Sequence, residues 1–223
     1  MDRAIEWATA HATILPITIS ANFPTTLQEQ LRTRQTDAFD SLALALQTGA
    51  LLVTDDLPTR EVQRTLTGHA GVWLHAVFGL AHAQNQIDTD AFVRWSAFLV
   101  KAGHSYLGVS GAMLAHAARL DGVAAPPPGY LFKALSQEIG GWTADPRSHA
   151  GASFDCLRAL WTDPAADSYR QPVTGHLLRQ LIHERQSDFA VLIRTLLVAS
   201  KALPALEIYM RGWIIGHFLA DIV

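Results

Sequence analysis

The stretch Val53-Thr54-Asp55-Asp56 constrains this chain more than any other. The apolar run Ala50-Leu51-Leu52-Val53 reads as a short buried strand, and it ends in two adjacent aspartates. A helix follows at once and opens at Pro58, since a first-turn proline gives up an N–H that would have had no intrahelical partner. Ahead of the strand, Asp37 to Thr48 predicts another helix. Phe39, Leu42 and Leu46 fall on one side of it, and Gly49 supplies a stop. Asp37 and Asp40 share a face near its N-terminus, where the helix dipole favours negative charge. A strand that ends in carboxylates beside a helix carrying carboxylates predicts an open α/β sheet with its ligand outside the carboxyl end of the strands. Four acids so placed offer the oxygen donors that a hard cation such as Mg²⁺ takes.

The rest of the chain divides at the triproline Pro126-Pro127-Pro128, which is stiff and cannot continue a helix. Residues 1–122 predict an α/β domain, 123–129 a proline-rich linker and 130–223 an all-α domain. In the first part, strands are predicted over Ala12 to Ile19, Ala50 to Thr54 and Tyr106 to Val109, while Gly71 to Phe78 begins as strand or as helix. Helices are predicted over Asp2 to His11, Thr26 to Arg34, Leu57 to Leu66, Thr89 to Lys101 and Ser110 to Leu120. Beyond the prolines the spacing is helical over Leu131 to Ile139, Ala150 to Trp161, Thr174 to His183, Phe189 to Leu203 and Leu206 to Leu219. Trp142, Trp161 and Trp213 are core or contact residues of that part.

The 223 residues are 49% hydrophobic and carry a net charge of −3. That excludes a strongly basic nucleic-acid-binding surface and a disordered chain. Cys156 is the single cysteine, which excludes a disulfide framework. No uncharged apolar run reaches the roughly 18–20 residues of a membrane span, so no membrane is expected and a cytoplasmic location is the default.

The segment from Asp40 to Arg60, DSLALALQTGALLVTDDLPTR, resembles the PIN-like ribonuclease domains. Those show an acid opening an Ala/Leu-rich helix, then a glycine, an apolar strand, an Asp-Asp or Thr-x-Asp ending and a nearby arginine. Gly71-Val-Trp-Leu and Ala102-Gly-His-Ser-Tyr-Leu-Gly-Val-Ser are similar to the tail of a bacterial subgroup. The resemblance covers Met1 to about Arg119. It implies a doubly wound, mostly parallel sheet and hydrolysis of RNA phosphodiesters with Mg²⁺ or Mn²⁺, the metal activating water and neutralising phosphate charge. Asp40 and Asp56 take the catalytic places, with Asp37 competing for the helix position and Asp55 as an alternate ligand. Arg60 orients these acids, and Glu29 stands in for a later glutamate. The family's first strand carries a further aspartate that this chain lacks, so the domain is expected to be truncated at its N-terminus and its sheet incomplete. The alternative is a catalytically dead module that binds a protein partner through the C-terminal helices. Homodimers are common in the family.

Two other patterns have bland readings beside the chemical one. Asp55-Asp56 equally suits a helix N-cap pair. Gly108-Val-Ser110-Gly-Ala112 is like a nucleophile elbow, but too few strands precede it for a hydrolase sheet. His69, His75, His82, His104 and His116 form no metal-ligand pattern.

Overall fold

The computed structural model describes residues 2–13, 15–19, 21–33, 39–68, 70–104, 107–122, 127–141 and 145–218. Its contacts separate into two compact units, Met1–Val77 and Phe78–Val223.

The first unit holds α1 (Asp2–His11), α2 (Thr25–Thr33), α3 (Asp40–Thr48) and α4 (Leu57–Thr67). A further helix, α5 (Leu74–Ala83), begins at its end. Leu42 and Ala45 of α3 meet Phe23 and Leu52, with Ile17, Phe39, Leu46 and Leu66 packed around them. Gly49, at φ 67°, ends α3 in the left-handed conformation that glycine adopts without a Cβ clash.

No sheet forms among the described residues, which overturns the α/β expectation. Val53 and Val72 make a single isolated parallel bridge. It consists of Thr54 N–H to the Val72 carbonyl and Val72 N–H to the Leu52 carbonyl, 2.9 Å each. A parallel strand is normally buried on both faces. Here Leu51 and Val53 are exposed, so the apolar run at 50–54 lacks the second covering layer. The chain 12–19 is not a strand where described. Gln47 of α3 takes its backbone groups instead, accepting from Thr18 N–H at 3.1 Å and donating to the Pro16 carbonyl at 3.4 Å. Residues 107–109 are not a strand either, and Tyr106 lies outside the described residues. The regular elements of the described chain are all helices, apart from the Val53–Val72 bridge, so the incomplete doubly wound sheet and the PIN-like resemblance built on it do not hold.

The second unit is built on α6 (Thr89–Lys101), α7 (Gly111–Asp121), α8 (Tyr130–Ser136), α9 (Pro146–Trp161), α10 (Arg170–Ile182), α11 (Phe189–Ser200) and α12 (Pro204–Phe218). The α9 helix packs against α7, α10, α11 and α12, and α8 bridges α6 and α7. Leu157 and Leu160 of α9 are fully buried, as are Leu114, Phe132, Leu177, Leu181, Ile193 and Leu196 from the surrounding helices. Helix starts follow the capping rule: Asp88, Ser110 and Asp145 each accept a backbone N–H of the first turn. Gly111 permits the close approach of α7 to α9, since a Cβ there would lie 2.5 Å from the Ala152 carbonyl oxygen. No described helix is long and apolar enough to cross a membrane.

Candidate functional site

Two of the acids singled out in the sequence, Asp55 and Asp56, are tied to helix starts. Asp56 is the N-cap of α4, its Oδ2 accepting from Thr59 N–H at 2.8 Å and from the Thr59 hydroxyl. Those two Thr59 bonds, helped by Arg60, hold the Asp56 carboxyl below the usual carboxylate range. Asp55 points the other way along the chain: its Oδ1 accepts from Leu74 N–H at 3.0 Å, at the start of α5. Arg60 donates to the Thr54 carbonyl at 2.7 Å and lies 5.3 Å from the centre of the Trp73 ring. The segment is therefore a clasp between two helix starts. It locks the turn that leaves the Val53–Val72 bridge. Gly71 closes it, because a Cβ there would sit 3.2 Å from the Leu52 carbonyl.

Asp40 opens α3 and is exposed, and Glu29 is exposed on α2. Asp37 lies outside the described residues. Among the described residues no three Asp, Glu, His or Cys side chains gather into a group able to hold a metal ion. Hard cations need several oxygens converging at 2.0–2.6 Å. Asp55 and Asp56 are held at the starts of two different helices rather than turned toward one another. An open groove of about 560 Å³ in the same unit is lined by Ala45, Leu46, Leu51 and Gln63 among others, with no charged side chain among its described lining residues.

Other residues considered in the sequence make contacts within the fold. Ser110 caps α7 by accepting from Met113 N–H at 3.2 Å. His116 pairs with Asp90 at 2.7 Å, and His82 meets Thr89 at 3.1 Å while stacking on Phe92. His69 lies outside the described residues. Two further histidines are half-buried: His176, which the sequence reading passed over, and His149, read there as a helix residue after a Ser148 cap, although the cap is Asp145. His176 shares a hydrogen bond with Ser136 at 3.0 Å, and His149 accepts from Gly140 N–H at 2.8 Å. Burial pushes both below the ordinary histidine value, reinforced by Arg179 and Lys133 at His176 and by Arg185 at His149. Burial alone lowers His75. Cys156 is fully buried and its thiol is pushed far up by desolvation, which leaves it inert as a nucleophile.

What the second unit does present is apolar surface. Leu206, Met210, Trp213 and Ile214 turn the inner side of α12 into the core. Its outer side carries Ile208, 72% exposed, and Ile215, 56% exposed, as a ridge two turns long. Ala205, Gly212 and Gly216 run beside that ridge as a shallow trough, with nothing within 4 Å of either glycine's Cβ position. Arg211 sits on the other flank, paired with Glu207 at 3.0 Å. The neighbouring α11 leaves Val191 and Val198 exposed on its outer side. The signal for this surface was in the sequence: α12 carries isoleucines outside its inner side as well, whereas a helix with one buried face keeps its apolar residues to one stripe. Trp161 was expected in the core or at a contact; it donates to Thr174 at 2.9 Å with Arg170 over its ring. Trp142 lies outside the described residues.

No family profile, curated protein or solved structure matches this chain.

Proposed function

We infer that this chain is a helical docking module and that α11 and α12 receive a helix of a protein partner. The observation that carries the reading is the outer side of α12, where Ile208 and Ile215 stand in solvent beside Gly212. Single exposed apolar residues need no explanation, but a continuous apolar row on an already anchored helix does. Glycine inside a helix costs roughly 1 kcal/mol relative to alanine. Two of them on an exposed face are explained by a close helix–helix approach. The partner's matching side is apolar, with its own small residues opposite the isoleucine ridge.

The test is photo-crosslinking of the full chain in its native cell. A crosslinking residue at Ile208 or Ile215 is expected to give the same discrete protein adduct. One at Arg147, exposed on α9, is expected to give none. Absence of an adduct from both α12 positions, or the same adduct from Arg147, removes the reading.

A further inference from the structure

The outward stripe of α6 has a different character from that of α12. Phe92, Val93, Ser96, Ala97, Leu99 and Val100 fill the inner side. Asp90, Arg94, Phe98 and Lys101 follow at spacings of four, four and three, which puts them on one outer line. Phe98 is 67% exposed and Trp95 beside it is 44% exposed. The Asp90 side chain is 55% exposed even while it holds His116. Lys101 lies 6.0 Å from the ring of Tyr130, itself largely exposed, so the aromatic surface continues past the helix end.

Read backwards, that stripe runs Lys, Phe, Arg, Asp. An acid is exchanged for a base at each end, and the aromatic and the guanidinium change places in the middle. Laid antiparallel on an identical helix, the stripe therefore complements itself. Asp90 faces Lys101 of the second copy, and Arg94 lies over Phe98 of the second copy. Each contact occurs twice, as a two-fold interface requires. Cation–aromatic contacts are favourable, and Trp, Tyr and Arg are the side chains enriched where interfaces carry their energy. We propose that two copies of this chain associate through antiparallel α6 helices, with the Asp90–Lys101 and Arg94–Phe98 contacts setting the register. One helix stripe lies at the small end of specific interfaces, so the dimer is weak and reversible. The surface is separate from α11 and α12, so the dimer goes beyond the docking reading and leaves that face open.

Sedimentation of the full chain at increasing concentration tests it. A reversible monomer–dimer equilibrium is expected, weakened by added salt. Lys101→Glu and Asp90→Lys each put like charges together twice, and each is expected to raise the dissociation constant about 10-fold. The double variant D90K/K101E restores opposite charges across the two-fold and is expected to return most of the affinity. Phe98→Ser is expected to abolish association, while Ile215→Asp leaves it unchanged. Helical circular dichroism and a thermal melt on each variant confirm that α6 remains folded. A chain monomeric throughout, a dimer indifferent to Phe98→Ser, or a folded double variant no better than its single parents overturns the proposal. Loss of association on Ile215→Asp alone overturns it too and assigns the contact to α12.

Discussion

The two units follow the same local rules and differ in what those rules enclose. In both, aspartates cap helix starts and glycines end helices. Asp56 and Asp145 each accept first-turn N–H groups, and Gly49 and Gly68 stop α3 and α4 in the left-handed region. The interiors are not alike. Of the described large side chains shut off from solvent altogether, Leu42 belongs to the first unit, while Phe132 and the rest of that set belong to the second. A buried leucine or phenylalanine contributes roughly 1.5–3 kcal/mol. The first unit substitutes side-chain tethers such as Gln47 to residues 16–18 and Arg60 to Thr54. A typical hydrogen bond nets only about 1 kcal/mol. The second unit is thus held by its core. The first is held by contacts made along its edge.

The comparison breaks most directly at a leucine in each core. Leu177→Ala is expected to cost about 3–5 kcal/mol, since the site is sealed by α9 and α11 and cannot collapse. Leu52→Ala, at the margin of a small cluster, is expected near 2 kcal/mol. Denaturant titration followed by amide exchange reads both. Amides of α3 and α4 are expected to exchange faster than those of α9 and α10 in the unmodified chain. Equal protection in the two units would dissolve the distinction.

This contrast explains what was legible in the sequence. The helices were readable because apolar spacing and caps are local: Asp2–His11 and Thr89–Lys101 have the expected ends, and α11 and α12 begin within two residues of theirs. The strands were not, because β-branched and apolar runs declare only a wish for burial. Ile17 satisfies it against Phe23 and Leu42 without pairing, and Leu51 leaves it unsatisfied. The Asp55-Asp56 pair was visible and its capping alternative was open. Asp56 caps its own helix through the nearby Thr59 N–H, whereas Asp55 holds Leu74 N–H, a contact nineteen residues away that no local pattern encodes.

Two glycines sharpen the comparison next. Gly140 has φ 94° and a Cβ there would run into the backbone carbonyl of Gln180, so Gly140→Ala is expected to cost about 3 kcal/mol from strain and forced backbone movement. Gly68, at φ 74°, has open space around it, and Gly68→Ala is expected to cost about 1 kcal/mol. Both are read as shifts in the unfolding midpoint. A larger effect at Gly68 would mean that the first unit is packed more tightly than its side chains indicate.

The caps are expected to be equal where the cores are not. Asp56→Ala and Asp145→Ala should each cost about 1 kcal/mol. The same loss is a larger fraction of the first unit's stability, so α4 amides should deprotect more than α9 amides. Calorimetric titration of the unmodified chain and of Asp56→Ala with Mn²⁺ is expected to give the same flat isotherm. A saturable site lost in the variant would show that Asp56 binds metal after all.

The smallest expected effect is a pH dependence, with the same sign for the histidines and for Asp56 but a different range. His149 and His176 are depressed by burial, so the folded second unit prefers them neutral. Their contribution is fully present above the ordinary histidine value of about 6.5 and is lost as pH falls below it, because the unfolded chain then binds protons that the folded one refuses. Asp56 is also depressed, but its contribution is present above the ordinary carboxylate value of about 3.9 and is lost only below it. His75 adds a histidine limb to the first unit as well. Between pH 7.5 and 5.5 the α9 and α10 amides should therefore lose protection in the unmodified chain. They should lose less in His149→Gln/His176→Gln, while the response of α4 and α5 stays the same in both proteins. If the paired substitution leaves the α9 and α10 response intact, the two imidazoles are not what the second unit keeps neutral.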